Sequence, residues 1–150
     1  MSTYCRRTID LTVDSIRADV PTVVDSVDAA LAVIAASMQR PPQAQVIVLV
    51  LDGDLGGDAV VVVDGTDSPD AVIDVFELLA EGAAEADRPA TFVVAAIRPG
   101  YDALPGDADR WLELCDIAED HGCELLEWFV LSDDVAWCPR DLLAEPPRWP

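Results

Sequence analysis

Two segments narrow the fold more than any others: Val46 to Leu51, apolar at every position, and Ala59 to Val63, four valines in a row after an alanine. Both are rich in β-branched residues and neither alternates, so they read as strands buried on two faces. Such strands need helices to cover them, which makes this an α/β chain. The glycines of Asp52-Gly53-Asp54-Leu55-Gly56-Gly57-Asp58 make the connection a hairpin turn.

The remaining elements follow from periodicity. Thr8 to Val13 alternates like a short strand, and Asp25-Ser26 can cap a helix with apolar positions Val27, Leu31, Ile34, Ala35 and Met38, stopped by Pro41-Pro42. Ser68 suits an N-cap and Pro69 the first helical position, which opens a helix over 69–87. Val72, Ile73, Phe76, Leu79, Ala80 and Ala83 form its apolar stripe. Thr91 to Ile97 is a strand, Arg98 to Gly106 a loop, and Asp107 caps a second amphipathic helix that Gly122 stops. Cys123 to Leu131 and Val135 to Cys138 are two strands joined by a turn at 132–134, after which prolines keep the tail irregular. The order after residue 45 is ββαβαββ, a mixed β-sheet with flanking helices. Residues 1–45 add a strand and helix to the same domain, 46–138 form the core, and 139–150 are a Pro-rich tail. A single domain suits the 150-residue length.

Charge limits the partners. The chain carries 29 acidic residues against nine basic ones, all arginine, for a formal charge of −20. Such a surface repels phosphate backbones and anionic lipid, so neither nucleic acid nor a membrane is an expected partner, whereas basic proteins are. The longest apolar run, Ala29 to Ala36, is far short of the ~20 residues that span a bilayer. Acidic residues interrupt the N-terminal stretch that a signal peptide would need, which points to the cytoplasm and to reduced cysteines. The excess of Asp, Ala and Val fits a high-GC genome or a high-salt cytoplasm.

Few residues offer chemistry. Asp52, Asp54 and Asp58 have the close spacing of a calcium loop, but Val63 stands where its closing Glu would fall, so a solvated turn is the simpler reading. Cys115, His121, Cys123 and Cys138 lack the Cys-x-x-Cys spacing of a zinc knuckle. His121, the only base for a thiol nucleophile, already suits the C-terminus of a helix. With no Lys there is no P-loop, and no glycine fingerprint follows a strand, so no cofactor is expected.

Short motifs in a fixed order add a family. Leu51-Asp52 ends a strand, Gly65-Thr66 ends the next, Ala96-Ile97-Arg98-Pro99 follows the long helix, and Leu125-Leu126-Glu127-Trp128-Phe129-Val130 closes the set. Over roughly residues 46–138 this resembles the JAB (JAMM or MPN) domain of RadC-type bacterial proteins. The family loop Pro-Ser-Gly-Asp-Pro-Thr-Pro-Ser aligns without a gap on Pro99 to Gly106, sharing Pro99, Asp102 and Pro105. In the family, zinc is held by His-x-His and a later Asp, with an upstream Glu as base for the zinc-bound water. The resemblance places Ala96 and Arg98 at the two His positions, Gly106 at a Ser, Asp109 at the Asp, and Val60 at about the position of the Glu.

That substitution pattern implies a JAB fold without JAB metal chemistry: a pseudoenzyme acting as an interaction or scaffold module for a protein partner or a second copy of itself. The alternative is an enzyme using Tyr101, Asp102, Asp109 and a cysteine in the same pocket. Arg98 is expected to pair with Asp109, since both family positions point at one metal. In the tail, Trp149 is expected to fold back on its own domain; otherwise Arg148 and Trp149 would be contacts for a partner.

Overall fold

The computed structural model describes residues 16–17, 23–87, 90–100, 103–132 and 135–150. The strand expected over Thr8–Val13, Cys5, and the loop residues Tyr101 and Asp102 lie outside them.

The valine runs form the expected hairpin, with β2 (Gln45–Leu51) antiparallel to β3 (Gly57–Asp64). The turn is closed by Asp52, whose Oδ1 accepts the Asp54 and Gly56 amides at 2.8 Å each. A two-residue strand, β1 (Ile16–Arg17), flanks β3, and β4 (Thr91–Ile97) lies antiparallel on the other side of β2. The chain then crosses over through a helix to β5 (Glu124–Ser132), parallel to β4, and β6 (Val135–Trp137) turns back along the end of β5. The order is β1-β3-β2-β4-β5-β6, a six-stranded mixed sheet among the described residues.

Side chains alternate between two cores. Val46, Val48, Val61, Val63, Val94, Trp128 and Val130 face α2 (Ala71–Glu85) and α3 (Asp107–Asp120), which bring Phe76, Trp111 and Leu114. Ile47, Leu49, Val60, Val62, Val93 and Phe129 face α1 (Val27–Ser37), which brings Ala30, Val33 and Ile34. The β2 and β3 valines are apolar throughout because each strand is covered from both sides. No helix among the described residues is long and apolar enough to cross a membrane.

Ser26 caps α1 as its sequence predicts, its Oγ accepting the Ala29 amide at 3.1 Å. Two other caps fall elsewhere. α2 begins at Ala71 after Asp70, while Ser68 Oγ accepts the Asp70 amide at 3.3 Å in the turn before the helix. Gly106, in the left-handed conformation at φ 88°, is the N-cap of α3. Asp107 is instead the first helical residue, and its carboxylate is engaged by Arg98 and Arg110. The tail is also more ordered than its prolines imply: Pro139–Leu143 forms a 3-10 turn with Pro139 at its start.

Candidate functional site

The resemblance places its pocket where the carboxyl end of β4 meets the start of α3, the kind of crevice in which open α/β sheets bind ligands. Arg98 follows β4 directly and extends its parallel pairing, donating its amide to Leu131 O at 2.7 Å. Its side chain turns inward, 5% exposed, and grips Asp107 in two parallel bonds: Nη1 to Oδ2 at 2.9 Å and Nη2 to Oδ1 at 2.8 Å. Asp107 also accepts the Leu104 amide at 2.9 Å and Arg110 Nη1 at 2.9 Å. Arg110 Nε reaches Asp70 Oδ1 at the start of α2 at 2.8 Å. Two guanidinium groups and two carboxylates thus tie the first turns of both helices to the end of β4, with no net charge.

Burial by itself pushes the Asp107 carboxyl up. The hydrogen bonds from Arg98, the Leu104 amide and Arg110 outweigh it and hold the group below the usual carboxylate range. Its place in the first turn of α3 favours the anion further. Little room remains beside this pair. The cavity bordered by Thr66, Pro69, Ala96, Arg98 and Leu104 measures about 10 Å³, the space of one water molecule. Thr66 Oγ1 is buried at its edge without a hydrogen-bond partner among the described residues.

Of the residues assigned to the pocket from the sequence, Ala96 and Arg98 border the cavity, and Gly106 is the N-cap of α3. Two do not take the assigned places. Asp109 is exposed, and among the described residues it is Asp107 that pairs with Arg98. Two residues along a helix rotate a side chain by about 200°, so only one of the pair can face the sheet. Val60 belongs to the opposite face, packed in the α1-side core, while Ala96 faces α2 and α3.

The three described cysteines show no sign of activation. Burial raises the thiols of Cys115, Cys123 and Cys138, and for Cys138 the neighbouring Glu127 charge adds to it, so all three stay protonated at neutral pH. His121 caps α3, with Nδ1 2.8 Å from Ile117 O, to which the Nδ1-protonated tautomer donates.

A second buried network was not anticipated from the sequence. A bulge after Phe92 shifts β5 so that Glu127 lies opposite Val93, fully buried on the α1 side of the sheet. Arg140 Nε donates to its Oε2 at 2.8 Å, and Trp149 Nε1 to its Oε1 at 3.1 Å. The tail between these partners covers the part of β5 that β6 does not pair. Arg148 Nη1 donates to Leu125 O at 3.0 Å and stacks 4.8 Å from the Trp111 ring, whose Nε1 donates to Glu145 Oε1 at 3.1 Å. Arg148 and Trp149 are therefore engaged by their own domain. Deleting residues 146–150 is expected to cost about 2–4 kcal/mol, from lost indole burial and an exposed Glu127 oxygen. Thermal melts check this, and an unchanged Tm would show that the tail's contacts contribute no stability. Comparisons with protein-family models, with characterised proteins and with solved structures return no match.

Proposed function

We propose that this chain is a JAB-like domain of the RadC type that has exchanged metal chemistry for a structural ion pair and acts as a protein-interaction or scaffold module. The buried, bidentate Arg98–Asp107 pair carries this reading. A catalytic zinc needs three protein ligands and an open position. The resemblance leaves Asp109 as its one remaining ligand, and that side chain is turned to solvent, while Arg98 sets a permanent cation where a dication would sit. The residues present do not fit the metal. The −20 charge supports a basic protein rather than nucleic acid as partner.

Elemental analysis of protein purified without chelator is the test, with no stoichiometric zinc expected at residues 96–109. One zinc per chain that survives Cys→Ser replacement and is lost in Asp109→Ala would overturn the proposal.

A further inference from the structure

An apolar concavity lies away from the ion-pair network, where the C-terminal half of α2 passes over the turn end of the β2–β3 hairpin. It has a volume of about 520 Å³ and is lined by Val50, Leu78, Leu79, Gly82, Ala83 and Phe92, among others. Leu78 is 45% exposed, a large apolar side chain left at the rim of an apolar trough.

Gly82 lies inside α2, where glycine weakens a helix. A Cβ at this position would meet nothing within 4 Å, so the packing of the chain itself does not require the glycine. It leaves the α2 wall of the groove open enough for another backbone to approach closely.

The rim is acidic on both sides. Asp52 borders the groove on the hairpin, and Glu81 and Glu85, three and seven residues after Leu78, are exposed on α2. An apolar trough between acidic rims on a −20 chain repels a second copy and anionic surfaces, and attracts a segment with one apolar and one basic face. We infer that this groove receives an amphipathic, Arg/Lys-rich helix of a partner protein. The inference rests on the reading of the chain as an interaction module and gives that module its contact surface.

The test uses the full chain, ¹⁵N-labelled, titrated with an 18-residue amphipathic Leu/Arg peptide, a Leu/Glu peptide of the same pattern, and an Arg/Ser peptide of equal charge. The expected result is saturable binding of the Leu/Arg peptide alone, with shift changes centred on Val50, Leu78, Gly82 and Ala83. Gly82→Leu fills the groove while improving the helix, so it should keep or raise Tm and weaken binding at least tenfold. Glu81→Lys combined with Glu85→Lys should weaken it similarly and flatten its salt dependence.

Equal binding of the Arg/Ser peptide, shifts spread over the acidic surface, or affinity unchanged in Gly82→Leu would overturn the inference. Self-association abolished by Gly82→Leu would overturn it too, by assigning the groove to a second copy. Zinc at residues 96–109 would sink the non-catalytic reading without changing this titration, whereas absent zinc together with absent peptide binding would sink the groove alone.

Discussion

Arg140→Ala is expected to destabilise the protein by about 3–5 kcal/mol, a large part of the total stability of a domain this size. Glu127 is fully buried, and Arg140 is the cation that reaches it, at 2.8 Å. Removing the guanidinium leaves a carboxylate inside the protein with neutral donors, the Trp149 indole N–H and the Cys138 thiol, in place of its cation. The loss should appear as a lower urea midpoint at constant slope. Replacing both partners, Glu127→Leu with Arg140→Met, should cost much less than the sum of the single changes, since neither charge is then stranded. Additive effects in that cycle would show that Glu127 and Arg140 contribute independently of each other.

Asp107→Ala is expected to cost about 3–5 kcal/mol as well, because it removes the bidentate acceptor from a buried Arg98 and one of the two carboxylates from Arg110. Arg98→Ala should cost less, about 2–3 kcal/mol, since Asp107 keeps Arg110 and the Leu104 amide. Asp109→Ala, two residues away on the exposed side of α3, should change stability by no more than about 0.5 kcal/mol. Linkage fixes the pH dependence. The Asp107 carboxyl is held lower in the folded chain than in the unfolded one, so its contribution is complete above the unfolded value of about 3.9 and is lost as pH falls through the folded value. Acid unfolding of Asp107→Asn should accordingly be less steep below pH 4 than that of the parent. Equal costs for Asp107→Ala and Asp109→Ala would refute the assignment of the buried pair.

Local patterning carried most of the elements. Strand β4 spans Thr91–Ile97, the bounds its apolar run predicts, and α2 and α3 follow their stripes to within two residues at either end. These features depend on neighbours along the chain: β-branched residues that suit a covered strand, an apolar face every 3.6 residues, and a left-handed glycine at 122 that ends a helix.

The site was less legible. An arginine at position 98 in an apolar strand end already demands a carboxylate partner, but Asp107 and Asp109 stand equally close in sequence, and only the rotation of α3 against the sheet selects the first. Glu127, the one charge inside the Leu125–Val130 run, signals a buried ion pair, yet its partner is fixed by a hairpin and a 3-10 turn that bring Arg140 back across the sheet. The course of the tail over the edge of β5 depends on β6 being too short to pair the whole strand. The elements and the two-sided burial of the sheet were thus determined by the sequence through short-range patterns. The charge pairings and the open groove beside Gly82 were decided by tertiary structure alone, because they join residues whose separation in space is set by how helices and strands pack rather than by their order.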